Sequence, residues 1–398
     1  MENFADLVVP RFLRYVQIWT TSDKRSEETP STGGQWELAR LLAKELNELG
    51  AVDAEVTSHC YVLAKIPASP GLENKPAIGL MAHLDTASDV SGKDVKPVVT
   101  KNDAGETVIR SDGTTLLGAD DKAGIAEIMA AAEYLLSPKL PAEIKHGPAL
   151  IIFSPDEETG KGLPCFPMER INTLAGGTEN ALTACYTLDG GPLGELEIEC
   201  FNAIEARVFF SGRAIHLGAA RGELANACLM AAAFAVMLPR SESPEATDGC
   251  YGYYCPAAIS GSLENAELEV LIRDFDLDRA KERAAALEVF ARAVEAQFPG
   301  GKVRVECKFQ YYNMKDNIDR RPEVLSKLEE AARRAGIACT LKPIRGGTDG
   351  SRLTELGIPT PNIFTGGRNF HSLDEWVSVP EMEAACRLTV ELVRVWGE

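Results

Sequence analysis

The chain is short of positive charge. Lys and Arg number 41 against 59 Asp and Glu in 398 residues, a formal net charge of −18. Binding to a phosphate backbone needs clustered cations, so no nucleic acid and no anionic membrane is expected as a partner. Long apolar runs are also missing, and none approaches the ~18 to 20 residues that span a bilayer. The opening MENFADLVVPRFLRYV has acids where a secretion signal would need a basic start and a long apolar centre. The ten cysteines form no CxxC pair and keep no regular spacing. In a chain this long they read as reduced, mostly buried thiols rather than a disulfide framework, and a cytoplasmic location is expected. No internal repeat or low-complexity tract is present. Histidine is scarce, with five in all: His59, His83, His146, His216 and His371.

What is present is a soluble globular composition, 45% hydrophobic and 25% charged, with length for more than one domain. Apolar runs alternate with helical patterns, as in a doubly wound α/β sheet. Helices are expected over Gly34–Gly50, Gly124–Leu136 and Arg321–Ala335. Strands are expected at PAIGLMAHLD, PALIIFSPD, ACYTLDGG and PNIFTGG, each a short apolar run ending in polar or glycine residues. Buried parallel strands read this way, and their carboxyl ends open into a binding crevice. From about Ile204 to Tyr312 the rhythm changes. IEARVFFSG reads as a strand, ELANACLMAAAFAVML as a helix, the next stretch as a polar loop with Gly and Pro, and GSLENAELEVLIRDFD as a strand. A helix over Leu277–Gln297 and a strand at KVRVECKFQYY follow. The expected organisation is an α/β catalytic domain from residues 1–203 and 313–398, interrupted by an α+β domain at 204–312 with an antiparallel sheet.

Acids and histidines gather where the expected strands end. His83 lies two residues before Asp85, a spacing at which a carboxylate can hold the imidazole tautomer. ALIIFS runs into Asp156, Glu157 and Glu158; YTLDGG puts Asp189 just past a strand; NIFTGGRNFHSLDEW puts His371 in a loop after one. LLGADDKAGIAEIM places Asp120 and Asp121 at a turn opening a helix. Each feature alone has a plain structural reading, as a core histidine, a helix cap or a solvated loop. Together they supply a reason for three consecutive acids, namely one or more metal ions. Two Zn2+ ions that share a bridging carboxylate need two further protein ligands each. His83, Asp120, Glu158, Asp189 and His371 meet that requirement with nitrogen and oxygen donors only, a set typical of hydrolytic sites.

These motifs, in order along nearly the whole chain, resemble those of a large di-zinc peptidase and amidohydrolase family, and within it the tripeptide aminopeptidases called peptidase T. The stretches that carry the resemblance are STGGQWELARLL, AHLDTASD, LLGADDKAGIAEIM, FSPDEETGKG, YTLDGG, HLGAARGELANA, IRDFD, KPIRGGTDGSRL and GIPTPNIFTGGRNFHSLDEW. The resemblance implies a zinc-peptidase-like doubly wound domain with an inserted lid domain. It implies that Asp85 orients His83, that Asp120 bridges the two ions, and that a cis peptide bond joins Asp120 to Asp121. One zinc would have His83, Asp120 and Asp189, and the other Asp120, Glu158 and His371. Glu157 would be the general base, and Asp156 a structural residue. His216 in RAIHLGAA would bind the scissile carbonyl oxygen, and Arg273 and Arg345 would hold the substrate's carboxylate or carbonyls. Gly346 and Gly347, beside Arg345, would leave backbone N–H groups for an anion. His59 and His146 match no catalytic motif.

The expected function is release of the N-terminal residue from tripeptides or other short peptides by metal-activated water. Alternatives on the same metals are a dipeptidase, a carboxypeptidase or an aminoacylase. The expected partner is a short peptide substrate, with a homodimer as a further candidate. Two stretches depart from the family pattern: TDGCYGYYCPAAISGS within the insert, and HSLDEW after His371.

Overall fold

In the computed structural model, which describes residues 3–177 and 182–398, the four apolar runs become neighbouring strands of one sheet. They span Ala149–Ser154, Ala77–His83, Leu182–Gly190 and Asn362–Phe364, in that spatial order, and all three adjacent pairs are parallel. Antiparallel strands flank them: Val62–Ile66 and Val52–Val56 on one side, Glu195–Cys200 on the other, with Thr340–Ile344 beyond. Successive residues point to opposite faces, and each face has its own core. Ile78, Leu80, Ile151 and Phe153 join one apolar cluster, while Ala77, Met81, Leu150 and Ile152 join another.

Helices complete the layers. Gly34–Leu49 ends at Gly50 in the left-handed region (φ 90°), a glycine C-cap. Pro322–Arg334 and the C-terminal helix Val379–Gly397 add their apolar faces to the larger cluster. The helix Ala119–Leu135 approaches so closely that a Cβ on Gly124 would stand 1.9 Å from the Leu188 carbonyl oxygen. Only glycine permits that approach, and it brings the Asp120 turn beside the strand carrying Asp189.

The chain separates into two compact units, one of Met1–Ile198, Met314–Lys342 and Thr348–Glu398, the other of Glu199–Asn313 and Pro343–Gly347. The second unit has an antiparallel sheet in the order Tyr253–Gly261, Asn265–Asp274, Asn202–Ser211, Lys302–Tyr311. Its core includes Phe210, Phe234, Leu268, Ile272, Leu287 and Val294, the last two from the helix Leu277–Gln297. The strand Tyr253–Gly261 falls where the sequence pattern reads as a polar loop. It is an edge strand, exposed from Pro256 onward, with a break in register next to that proline. An edge strand needs neither apolar alternation nor a full set of N–H donors, so it lacks the usual signal. A small third sheet, also without an obvious pattern, joins Gly367–Arg368, Trp376–Ser378, Thr107–Arg110 and Val98–Lys101.

Candidate metal centre

His83, Asp85, Asp156 to Glu158 and Asp189 lie at, or just beyond, the carboxyl ends of parallel strands, Asp120 and Asp121 at the opening of the Ala119–Leu135 helix, and His371 in the hairpin between Gly367–Arg368 and Trp376–Ser378. His83 is the last residue of its strand and is buried. Its Nε2 lies 2.8 Å from Asp120 Oδ1 and 3.7 Å from Asp189 Oδ1. His371 stands on the other side of Asp120, with Nε2 3.3 Å from Asp120 Oδ2 and 2.8 Å from Glu158 Oε1. Asp120 thus spans two imidazoles with its two oxygens. The peptide bond between Asp120 and Asp121 is cis.

The run of three acids divides its work. After Ser154 the chain turns through Asp156 in the left-handed region (φ 62°, ψ 27°) into the 3-10 turn Glu157–Thr159. The Asp156 carboxylate accepts from the Ser31 N–H (2.7 Å), the Ser31 hydroxyl (2.5 Å) and Gln35 Nε2 (2.7 Å), while its own N–H donates to Gln35 Oε1. It ties the turn to the start of the Gly34–Leu49 helix. Asp85, without solvent exposure, accepts the N–H of Glu157 at Oδ1 (3.0 Å) and of Glu158 at Oδ2 (3.1 Å). His83 Nδ1 is 3.3 Å from Asp85 Oδ1 but is not aligned for a hydrogen bond. Asp85 therefore positions the Glu157–Glu158 turn as well as flanking His83.

Burial pushes the carboxyls upward. Asp189 is raised to about 6 and Glu158 to about 7, the latter helped by the neighbouring Asp120 charge. Glu157 and Asp121 are held well above the ordinary range by desolvation. Asp120 goes the other way: burial opposes its charge, but the imidazoles of His371 and His83 hold it below the usual range. His371 is raised to about 10 by Asp120 and Glu158. Acids this close and this dry require compensating positive charge.

The donor atoms of His83, Asp120 and Glu158 lie within 4.8 Å of one another, as do those of His83, Asp121 and Asp189. Asp121 is the least available of these, since Oδ2 accepts the His83 N–H and Oδ1 the Gly124 N–H. His83 Nδ1 is buried without a hydrogen-bond partner, and the buried Glu158 Oε1 meets the His371 imidazole at 2.8 Å. The five residues His83, Asp120, Glu158, Asp189 and His371 could together hold metal.

Several supporting residues carry no motif of their own. Asn362 accepts the Asp189 N–H at Oδ1 (3.1 Å) and donates to Glu197 (2.6 Å). Asp349 is buried beside the centre and accepts the Ser154 hydroxyl (2.5 Å). Asp89 Oδ2 lies 3.5 Å from His371 Nδ1, and Glu375 accepts N–H groups of the Asp120 turn. Asn362, Asp349, Asp89 and Glu375 all fall inside stretches that carry the resemblance, AHLDTASD, KPIRGGTDGSRL and GIPTPNIFTGGRNFHSLDEW, which is a signal of place but not of role.

His216, Arg273 and Arg345 lie in the second unit. His216 is exposed, and its Nδ1 accepts the Gly218 N–H (3.2 Å), which puts the ring proton on Nε2. Arg273 donates to the carbonyls of Ile204 and Ile272 and to Gln310 Oε1, over the Tyr311 ring. Arg345 donates to the carbonyls of Gly249 and Tyr251 and to Thr247 Oγ1, packed over Phe201 and Tyr253. It straps down part of the TDGCYGYYC stretch. The Tyr311 ring packs against Gly347, 2.6 Å from where a Cβ would stand. Of the remaining histidines, His59 is exposed, and His146 is buried with Nδ1 3.0 Å from the Gly147 carbonyl.

Comparisons with known proteins show the family and the fold. The family described as Peptidase family M20/M25/M40 matches residues 79–395. Peptidase T of Geobacillus thermodenitrificans is 41% identical over 417 residues, covering 98% of both chains. The structure of aminopeptidase PepT from Bacillus cereus superposes with a TM-score of 0.75 at 23% identity, covering 99% of each chain. A tripeptidase from Staphylococcus aureus gives 0.77 at 21% identity, covering 99% of this chain and 98% of that one.

Proposed function

The chain belongs to peptidase family M20/M25/M40, and on that footing we propose that it is a zinc-dependent aminopeptidase releasing the N-terminal residue from tripeptides and other short peptides. One observation carries the reading. The donor set falls into two halves, His83 with Asp189 and His371 with Glu158, and Asp120 offers one oxygen to each. Two four-coordinate ions that share a carboxylate need that division. The donors are all nitrogen and oxygen, which suits zinc in a hydrolytic site. The buried, unpartnered His83 Nδ1 and the raised acids fit a centre completed by cations. Bound there, two zinc ions would acidify a shared water toward ~pH 7 and polarise the scissile carbonyl.

The chain's own residues do the rest. Asp85 and Asp156 hold the turn that presents Glu157 and Glu158. Glu157 takes the proton of the attacking water and returns it to the leaving amine, and its carboxyl, held high by burial, suits a group that must carry a proton between steps. His216, with its proton on Nε2, is the proposed donor to the carbonyl oxygen, and Arg273 and Arg345 are the proposed holders of the substrate's carboxylate or carbonyls. Support for these three is the match of their motifs and, for His216, the tautomer fixed by Gly218. The tripeptide preference rests on the resemblance to peptidase T, which is 41% identical in Geobacillus thermodenitrificans. A reducing, cytoplasmic setting is consistent with ten free thiols. A free tripeptide and its N-acetylated form separate this reading from its alternatives. An aminopeptidase reads the ammonium, so only the free peptide should lose its first residue; cleavage of the acetylated form would favour an aminoacylase or carboxypeptidase.

A further inference from the structure

We infer that Glu375 is a positioning residue for the metal centre: it fastens the turn carrying Asp120 to the hairpin carrying His371. The inference rests on the ligand assignment proposed above. Glu375 is 1% exposed, and one carboxylate takes three backbone N–H groups. Oε2 accepts from Leu117 (2.8 Å) and Gly118 (2.9 Å), and Oε1 accepts from Asp120 (3.1 Å). These donors open the Ala119–Leu135 helix, where N–H groups have no intrahelical partner. Gly118, at the cap position, has no side chain to serve them and is itself left-handed (φ 84°). Asp120 (φ −86°, ψ 101°) and Asp121 (φ −124°, ψ 34°) are not helical, so the helix alone does not fix the direction of the Asp120 side chain.

The other end of the clamp is as specific. Residues 369–375 close a hairpin between the antiparallel strands Gly367–Arg368 and Trp376–Ser378. None of residues 369–374 is buried, His371 itself is exposed, and Glu375 at the base is buried. Phe370 packs the hairpin against the larger apolar cluster, and the hairpin's buried polar anchor is Glu375. Charge-assisted hydrogen bonds of this kind are the strong ones. They join residues 255 to 258 positions apart. Through them Glu375 sets where Asp120 and His371 stand relative to each other, 3.3 Å apart at Oδ2 and Nε2.

The test is a zinc titration of the metal-free full-length chain against a competing chelator, with melting of the metal-free protein measured alongside. Glu375→Gln keeps the shape but replaces one acceptor oxygen by a donor that faces N–H groups. Glu375→Asp keeps the charge but is a methylene too short for all three bonds. Both should bind zinc ~10 to 100-fold more weakly, the usual cost of losing support behind a ligand. Excess zinc should restore peptide hydrolysis in both. Wild-type zinc affinity in either folded variant overturns the inference. Asp120→Ala, run in parallel, tests the foundation separately. If it binds zinc like wild type, the ligand assignment falls and this inference with it; if it loses zinc while Glu375→Gln does not, only this inference falls.

Discussion

Each unit of the molecule buries a knot of charge, and the two knots differ in whether they are closed. In the second unit Arg283 Nε donates to the buried Asp274 (2.8 Å), its other arm meets Glu242, and the guanidinium lies over the Tyr254 ring. Asp274 also accepts the Asp276 N–H (3.1 Å), so each charge there has a partner supplied by the chain. In the first unit Asp120, Asp121, Glu157, Glu158, Asp189 and Asp349 crowd two imidazoles. Burial raises Asp189 to about 6 and Asp349 and Glu158 to about 7. Lys122 is buried in the same unit but donates to the Ile18 carbonyl (2.7 Å), and burial lowers its pKa to about 7. A knot closed by side chains is scaffold. One left with unpartnered atoms is a place for a ligand.

The sharpest way to break this contrast lies within the open knot. Glu157→Gln cannot take a proton but leaves the proposed ligands intact. It should keep its metal and lose kcat by ~10² to 10⁴-fold, the range for loss of a general base. Glu158→Gln removes an anionic ligand, so metal affinity should fall first and added zinc should partly restore activity. Zinc rescue of Glu157→Gln would mean that the two roles are reversed. His216→Ala, in the other unit, should lower kcat ~10² to 10³-fold with metal content unchanged. A near-normal kcat would remove His216 from the substrate site.

The closed knot predicts a different phenotype. Arg283→Met leaves Asp274 buried and unpaired, which should cost about 3 to 5 kcal/mol in a denaturant melt. Metal content of the folded fraction should not change. Loss of metal there would mean that the two knots are not independent.

The smallest effect is a proton balance. Hydrogen bonds to Asp120 and Glu158 raise His371 to about 10 in the metal-free protein, above its unfolded value of 6.5. That pairing stabilises the metal-free fold fully below pH ~6.5 and is lost as pH rises toward ~10. Zinc must displace the proton, so zinc affinity should rise with pH over the same window. Titration calorimetry in buffers of different ionisation enthalpy should show net proton release on binding. No release would count against His371 as a ligand.

Much of this was legible in the sequence because the parallel strands are short apolar runs with chemistry at their ends. The strands carrying His83 and Asp189, and the turn carrying Glu158, follow directly from that pattern. Tyr253–Gly261 did not, because an exposed edge strand with Pro256 beside a register break has no alternation to detect. Glu375 stands in the quoted HSLDEW stretch, but its role was not legible: its partners are backbone N–H groups distant in the chain, and backbone donors leave no motif. Asp85 was legible as the companion of His83, but not as the acceptor for Glu157 and Glu158.

Metal analysis of purified wild-type protein, with activity measured as zinc is returned to the metal-free form, tests the open knot most directly. The geometry predicts a stoichiometry approaching two zinc ions per chain, full activity only when both are present, and loss of both in Asp120→Ala. A single tightly held ion that supports full activity would contradict it.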